Sequence, residues 1–245
     1  MFCPAKLNLF LAVTGRRDDG FHDLVSLVSQ LSWGDDLVVE KMPTDGQHII
    51  ECDYPEIPTD SDNLIWRAAD AFSVRAGLQT GFRFRLTKRI PSGAGLAGGS
   101  SDAVGALKAM NKLSGLPLDR ENLDSLAVEL GSDCPLFLHE GPVIMRGRGE
   151  RIDPVSAEFR NVIAGLRFAL FKPSFAVDTV WAYRELAESA PSAYLEPCEA
   201  ESRLQTIMSF PDRLSECGVN SFQDVVGRKF PAIPVLFERL QRDHG

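Results

Sequence analysis

The stretch that decides the fold is Pro91-Ser-Gly-Ala-Gly-Leu-Ala-Gly-Gly-Ser-Ser-Asp102, in which four glycines stand within seven positions. Glycine adopts backbone angles that a Cβ atom would forbid, so several N–H groups of such a loop can turn toward one anion. The residues from Asp102 to Leu113 predict a helix, whose N-terminus adds unpaired N–H groups and partial positive charge. The stretch therefore predicts a phosphate-binding loop, with Lys88 and Arg89 as nearby cations.

Other interpretations of this loop fit less well. Gly93-x-Gly95-x-x-Gly98 matches the dinucleotide fingerprint. The preceding strand, Phe82–Thr87, however, alternates apolar and polar residues, whereas the first strand of a dinucleotide-binding sheet is continuously apolar. The Walker pattern needs a lysine after its last glycine, and Gly99 is followed by Ser100. A glycine-rich turn that binds nothing is the remaining alternative, and the placement of the loop directly before a helix argues against it.

Composition limits the class of protein. The chain has 245 residues, of which 44% are hydrophobic and 24% charged, as in an ordinary globular protein. A net charge of −8 argues against a nucleic-acid partner. No apolar run reaches about 18 residues, so we predict no membrane span. The five cysteines lack a C-x-x-C pair and the four histidines lack metal-ligand spacing, which favours reduced thiols, a cytoplasmic location and no bound structural metal.

Short strand-like runs come first in the chain and helices dominate later, which indicates an α+β fold. The strands are predicted at Lys6–Val13, Phe21–Leu31, Leu37–Lys41 and His48–Cys52, with a turn at Trp33–Asp36. Strands this close together must be mostly antiparallel, because parallel neighbours need long crossover connections.

Later elements follow from periodicity and capping residues. Asp62 or Asn63 is expected to cap a helix over Leu64–Ala76. Ser100 and Ser101 can cap the helix after the glycine loop or bind phosphate and metal. Further along, Val162–Phe171 is a strand candidate and Ile233–Arg242 a helix. The polar, glycine-rich segment at 146–150 suggests a boundary between a domain at 1–147 and a second at 148–245.

The glycine loop resembles the central motif of the GHMP kinases, which phosphorylate galactose, homoserine, mevalonate and related alcohols. Four further stretches are similar to motifs of one member, whose substrate is a cytidine diphosphate-linked erythritol of the non-mevalonate isoprenoid route. These stretches are Pro4–Leu9, Gly20–Asp23, Gly131–Leu138 and Arg148–Glu150. The resemblance implies an α+β, two-domain fold with an antiparallel-rich N-terminal domain, a smaller C-terminal domain and the active site between them.

The resemblance also implies ATP and Mg²⁺, with Lys6 and Asp133 as the catalytic pair. The chemistry agrees, because phosphoryl transfer passes through an anionic transition state in which positioning and positive charge do most of the work. Asp133 could accept the proton of the attacking hydroxyl, and Lys6 could keep that carboxylate ionised. The residue-level alternative for Asp133 is a turn or helix-capping role after Gly131 and Ser132.

The remaining site residues are implied by the same resemblance. His22 could hydrogen-bond the edge of cytosine and an aromatic ring could stack on it, although a solvated turn histidine is the plain alternative. The expected substrate-binding residues are Asn8, Phe21, His22, Thr179 and Tyr183. The expected ATP-binding residues are Asn63 and Lys88 near the adenine, and the loop residues Pro91, Ser92, Gly93, Ala94, Gly95, Leu96, Ala97, Gly98, Gly99, Ser100 and Ser101.

Two features depart from the family pattern. Asp102 stands where asparagine is common, and could help to hold Mg²⁺ or cap the helix. The family carries a third glycine-rich segment about where this chain ends, so we expect a C-terminally shortened second domain, slower turnover and lower stability than in a longer version. Two other functions stay open from the sequence: another GHMP kinase substrate, or a nucleotide-binding module without catalysis. The oligomeric state stays open as well.

Overall fold

The structure, a computed structural model, describes residues 1–45 and 47–244. It contains helices and one mixed sheet, which confirms the α+β prediction. The strands are β1 (Phe2–Arg16), β2 (His22–Asp45), β3 (Ile49–Cys52), β4 (Thr80–Thr87), β5 (Val143–Gly147) and β6 (Arg151–Pro154). The α-helices are α1 (Leu64–Ala76), α2 (Gly98–Leu113), α3 (Arg120–Leu130), α4 (Ala157–Ala164), α5 (Thr179–Glu188), α6 (Pro197–Ser209), α7 (Leu214–Cys217), α8 (Gln223–Lys229) and α9 (Ala232–His244). Short 3₁₀ helices cover Pro135–Leu138 and Pro211–Arg213.

The long strand β2 organises the sheet. Its first half pairs with β1 and β5, and its second half pairs with β4, giving the order β3-β4-β2-β5-β6 with β1 also on β2. These pairings are antiparallel, as predicted, except that β3 runs parallel to β4. The strand is long enough to span the whole sheet, so residues at its two ends serve different parts of the molecule.

The predicted turn at Trp33–Asp36 is wrong, because these residues continue β2. Gly34 lies opposite Pro4 of β1. A Cβ atom at position 34 would lie 2.2 Å from the carbonyl oxygen of Cys3. The glycine is therefore required for the close approach of two strands rather than for a reversal of the chain.

Helix starts agree with the prediction at α1 but not at α2. Asn63 caps α1, and its Oδ1 accepts a hydrogen bond from the Ile65 N–H at 2.9 Å. Helix α2 begins at Gly98, before Asp102, and its N-cap is Ala97 with a left-handed φ of 53° and no side-chain cap. The expected capping by Ser100, Ser101 or Asp102 is thus wrong, because all three lie within the first turns of the helix.

The described residues form three apolar cores, and the two larger ones cover the two ends of the sheet. The larger one packs the β2–β4 end against α1, α2 and α3, with Phe72, Phe82 and Leu107 fully buried. The second packs β1 and the start of β2 against α4 and α6. No helix among residues 1–45 and 47–244 is both long and apolar enough to cross a lipid bilayer. All five cysteines are free thiols.

The strand predicted over Val162–Phe171 is wrong. Its first residues end α4, where Phe159 and Ile163, four positions apart, face the second core. Ser156 starts this helix by accepting a hydrogen bond from the Phe159 N–H at 3.2 Å. Helical periodicity and a cap therefore outweigh the β-branched composition at this position.

The predicted domain boundary after residue 147 falls between two paired strands. Strand β6 pairs antiparallel with β5, from Val143 opposite Pro154 to Arg146 opposite Arg151. The sheet of the N-terminal half therefore extends to Pro154. The division into 1–147 and 148–245 stays a prediction.

Candidate active site

The glycine loop forms an anion cradle in front of α2. Gly93 and Gly95 have φ values of 66° and 72°, in the left-handed region that favours glycine. The loop is attached to β1, because the Lys6 N–H donates to the Leu96 carbonyl oxygen at 3.0 Å. In the described part of the chain, the N–H groups of residues 98–100 donate no hydrogen bond. These amides at a helix N-terminus are free to bind phosphate oxygens.

A buried ion cluster lies beneath this loop. Lys88 Nζ donates to Asp35 and to Asp102 Oδ2, the latter at 2.8 Å. The three side chains are at most 8% exposed. Asp35 also accepts hydrogen bonds from the N–H groups of Arg89 and Ile90. The cluster therefore fixes the end of β4 to β2 and to the first turn of α2, so it holds the loop at both of its ends.

Two carboxylates share one ammonium group in this cluster, and one of them, Asp102, has a displaced pKa. Burial raises the pKa of Asp102 to about 7, with Lys88 opposing the rise and the charge of Asp35 adding to it. Asp102 Oδ1 and Ser101 Oγ are buried without a hydrogen-bond partner among the described residues. The same residues contain no group of three His, Cys, Asp or Glu side chains that could bind a metal by themselves.

The expected catalytic pair is in contact. Lys6 Nζ lies 3.6 Å from Asp133 Oδ2, and their side chains are 9% and 40% exposed. Lys6 Nζ also donates to Asn8 Oδ1 at 3.2 Å, so Asn8 orients the ammonium group. Asp133 lies in the turn between α3 and the 3₁₀ helix Pro135–Leu138. The capping alternative for Asp133 is not supported, since its carboxylate faces Lys6 and is half exposed.

The next residue, Cys134, lies beneath this turn. It is fully buried, and burial raises the pKa of its thiol to about 11. Its side chain neighbours Ser100 of the loop. The thiol is thus a neutral packing group that joins the Asp133 turn to the start of α2.

Aromatic rings gather around His22 at the other end of the cleft. The His22 and Tyr183 rings lie 4.9 Å apart at a 30° tilt, and Tyr183 meets Phe222 edge-on at 4.8 Å. His22 Nε2 lies 3.2 Å from the hydroxyl of Tyr194. Burial, followed by the negative charge of Asp133, raises the pKa of Tyr183 to about 12. The phenol of Tyr183 therefore stays neutral, and the charge of the Asp133 carboxylate acts on it.

Other expected site residues lie at the edges of this arrangement. Phe21 is exposed, and the Arg148 guanidinium lies 4.5 Å from the centre of its ring. Thr179 is exposed at the first position of α5. Asn63 uses its amide within the chain, since its Nδ2 donates to the Pro58 carbonyl oxygen at 2.6 Å while its Oδ1 caps α1.

Sequence reasoning missed Asp35, Tyr194 and Phe222. Asp35 was assigned to a turn, although a strand position opposite β1 places it under the loop. Tyr194 and Phe222 lie in connections between helices and carry no spacing signal. Lys88 was expected near adenine, but its ammonium group is taken up by the two buried carboxylates.

The chain is similar to known proteins over most of its length. Residues 63–141 match the GHMP kinases N terminal domain. The 4-diphosphocytidyl-2-C-methyl-D-erythritol kinase of Synechococcus sp. (strain CC9902) is 42% identical over 247 residues, covering 97% of this chain and 79% of that protein. The kinase of the same name from Methylacidiphilum infernorum (isolate V4) is 37% identical over 240 residues, covering 98% of this chain and 78% of its own.

This chain belongs to the 4-diphosphocytidyl-2-C-methyl-D-erythritol kinase family. A crystal structure of 4-(cytidine 5'-diphospho)-2C-methyl-D-erythritol kinase superposes with a TM-score of 0.75 at 32% identity, covering 99% of this chain and 82% of the other. The Methanococcus jannaschii mevalonate kinase, at 13% identity and a TM-score of 0.62, shares the fold over 96% of this chain and 78% of its own. The resemblance drawn from the five motifs is therefore confirmed, both for the GHMP kinases and for this family.

Proposed function

We propose that this protein transfers the γ-phosphoryl group of ATP to a hydroxyl of 4-diphosphocytidyl-2-C-methyl-D-erythritol and forms the 2-phosphate. The observation that carries the proposal is the position of Lys6. Its backbone N–H binds the phosphate loop at Leu96, and its ammonium group contacts Asp133. Lys6 therefore connects the phosphate loop to Asp133, and would place this proton acceptor beside the phosphoryl group that is transferred.

In this mechanism Asp133 accepts the proton of the attacking hydroxyl. The Lys6 ammonium group lies 3.6 Å from this carboxylate and holds it in position. The loop amides and the positive end of α2 stabilise the charge on the transferred phosphoryl group. Asn8 holds Lys6 in place through its Oδ1.

The aromatic end of the cleft would bind the cytosine of the substrate. Tyr183 offers a neutral ring for stacking and His22 offers a ring nitrogen for the base edge. Phe21 and Arg148, which lie together at the rim, would contact the same part of the substrate. The substrate would then extend from this end toward Asp133, whose charge already reaches Tyr183.

Mg²⁺ is part of the proposal. Kinases usually hold this ion with one or two protein oxygens and the phosphates of the nucleotide, so a cluster of three protein ligands is not required. The two orphaned oxygens at the start of α2, Ser101 Oγ and Asp102 Oδ1, are of the donor type that Mg²⁺ prefers, and they would hold it. When bound, the ion neutralises charge on the phosphates.

The test is an ADP-release assay with ATP, Mg²⁺ and the cytidine substrate, with mevalonate and homoserine as competing acceptors. We expect turnover with the cytidine substrate only. We also expect His22→Ala to raise KM for that substrate about tenfold or more with little change in KM for ATP, because His22 contacts only one of them. His139→Ala, a histidine outside the aromatic cluster, is the matched control.

Two outcomes would overturn the proposal. Turnover with mevalonate or homoserine would assign the site to another acceptor of the same superfamily. Nucleotide binding without turnover of any acceptor would make the chain a binding module.

The His22→Ala variant has its own internal check. An equal rise of both KM values in His22→Ala would show a distorted cleft rather than a lost base contact.

A further inference from the structure

His22 has one ring nitrogen in use and one free. Its Nε2 lies 3.2 Å from the Tyr194 hydroxyl. Its Nδ1 makes no hydrogen bond to any residue of the described ranges 1–45 and 47–244. The ring is half-buried between Tyr183 and Tyr194, with centroids at 4.9 and 5.9 Å. The free nitrogen is therefore the one available to a ligand.

Tyr194 is fixed to the hairpin that carries His22. Its own N–H donates to the Pro191 carbonyl oxygen at 3.0 Å, and the N–H of the next residue, Leu195, donates to Val13 of β1 at 3.0 Å. His22 is the first residue of β2 and pairs with Arg16 at the end of the same β1 strand. The Tyr194–His22 contact is thus anchored through backbone hydrogen bonds on both sides.

A tyrosine hydroxyl that donates to one imidazole nitrogen decides which nitrogen carries the proton. Burial, followed by the positive charge of Arg16, lowers the pKa of His22, so the ring is neutral near pH 7. A neutral ring with its acceptor at Nε2 carries its hydrogen on Nδ1. That nitrogen would then be a donor that is free to bind a ligand.

We propose that Tyr194 is a positioning residue that holds His22 in the Nδ1–H form, so that His22 donates to the N3 acceptor of cytosine and rejects uracil. The proposal deepens the function proposed above and rests on it. Cytosine N3 has a lone pair, whereas uracil N3 carries a hydrogen. With Nδ1–H opposite N3, uracil would place a donor against a donor and leave both unpaired, which is how polar sites discriminate between similar ligands.

The first experiment measures the tautomer directly. ¹⁵N NMR of the imidazole in the ligand-free protein should show the His22 hydrogen on Nδ1 and an unprotonated Nε2. In Tyr194→Phe the two tautomers should mix, because the donor that fixes the hydrogen on Nδ1 has been lost. A hydrogen on Nε2 in the unmodified protein would overturn the proposal, since Tyr194 would then be the acceptor.

The second experiment measures affinity for CDP and for UDP by calorimetry, in the unmodified protein, Tyr194→Phe and Tyr54→Phe. Tyr54 lies between β3 and α1, away from His22, and is the matched control. We expect the preference for CDP over UDP to fall about tenfold in Tyr194→Phe, the worth of one hydrogen bond, and to be unchanged in Tyr54→Phe. A purely structural role would weaken both ligands equally and keep their ratio, which would overturn the proposal.

The two proposals fail in different ways. If the unmodified protein binds neither CDP nor its cytidine substrate, the proposed function fails. If it binds CDP and turns over the substrate, but Tyr194→Phe keeps the full preference for CDP, the function stands and the role of Tyr194 is wrong.

Discussion

The two ends of the candidate cleft are formed by different chemical groups. The phosphate end consists of backbone amides and the buried ion cluster of Asp35, Lys88 and Asp102, whose side chains are at most 8% exposed. The base end consists of half-buried rings from distant parts of the chain, since His22 and Tyr194 are 172 positions apart. The phosphate end is thus formed by charged side chains and backbone amides, and the base end by aromatic rings.

This difference predicts different responses to mutation. Removing one partner of a buried ion cluster leaves an uncompensated charge and costs several kcal/mol. Removing one ring from a half-buried aromatic group costs about 0.5–1.5 kcal/mol beyond the lost area. Changes at the phosphate end should therefore affect folding or turnover severely, while changes at the base end should alter ligand preference.

The largest effect is expected at the catalytic pair. Asp133→Asn should reduce kcat by about two to four orders of magnitude, because a neutral amide cannot accept the hydroxyl proton. ATP affinity, measured by calorimetry, should change little, since the amides that hold the phosphates remain. Asp124→Asn, which removes a surface pair with Arg120, is the control. Near-normal turnover of a folded Asp133→Asn protein would show that Asp133 is not the proton acceptor.

The second effect concerns stability. Lys88→Met should lower the free energy of unfolding by about 3–5 kcal/mol, because Asp35 and Asp102 would be left buried without a cation. Urea denaturation measures this, with the exposed Lys112→Met at the end of α2 as the matched control. If Lys88→Met were as stable as the control but bound ATP poorly, Lys88 would act on the nucleotide, as the sequence suggested, rather than on the fold.

The third effect concerns the loop itself. A Cβ atom at Gly98 would lie 3.0 Å from Ile90 Cγ2 and 3.1 Å from Lys88 Nζ. Gly98→Val should therefore displace the first turn of α2 and weaken binding of a non-hydrolysable ATP analogue beyond calorimetric detection. Gly15→Val is the control, because a Cβ atom there meets nothing within 4 Å. Binding retained at micromolar Kd would place the phosphates elsewhere.

The smallest effect is a change in pH dependence. The folded-state pKa of Asp102 is about 7, above its ordinary value of 3.8, so the native state binds one more proton than the unfolded state between those values. The stability it contributes is complete below about pH 4 and is lost as the pH rises through 7. Relative to Asp102→Asn, the unmodified protein should lose about 2 kcal/mol between pH 5 and pH 7. The free energies of unfolding of both proteins are measured by urea denaturation. A difference between them that stays the same at every pH would contradict this prediction.

The sequence predicted the conformation of the glycine loop better than the aromatic cluster, for a physical reason. The loop is defined by local features: glycines that adopt positive φ, a helix after them and a lysine before them. Local features of this kind are visible as a pattern in the amino-acid sequence. The aromatic cluster arises when residues from α5, from the connection before α6 and from the connection before α8 meet at a hairpin. That meeting depends on tertiary packing, which periodicity alone does not contain.

Two of the wrong secondary-structure predictions show how composition can mislead. Trp33–Asp36 has the composition of a turn, yet the glycine there makes room for Cys3 of the neighbouring strand. Val162–Phe171 has the composition of a strand, yet Phe159 and Ile163 bury one helical face against the second core. In the first case a contact distant in sequence overrode the local preference. In the second case a helix cap at Ser156 and helical periodicity outweighed the β-branched composition.

The length of β2 has a consequence for how the protein opens. The strand begins at His22 in the aromatic cluster and carries Asp35 beneath the phosphate loop. It pairs with β1 along most of that path, with β5 as well over Leu24–Val28, and with β4 from Asp36 onward. Its amides should exchange with deuterium only when the whole sheet comes apart, because no end can fray without breaking pairings that the other end also needs. Both ends of the cleft should then be lost in one cooperative event. A partly unfolded form that keeps one subsite should not accumulate, so nucleotide bound at the loop should also slow proteolysis at the distant hairpin Arg16–His22.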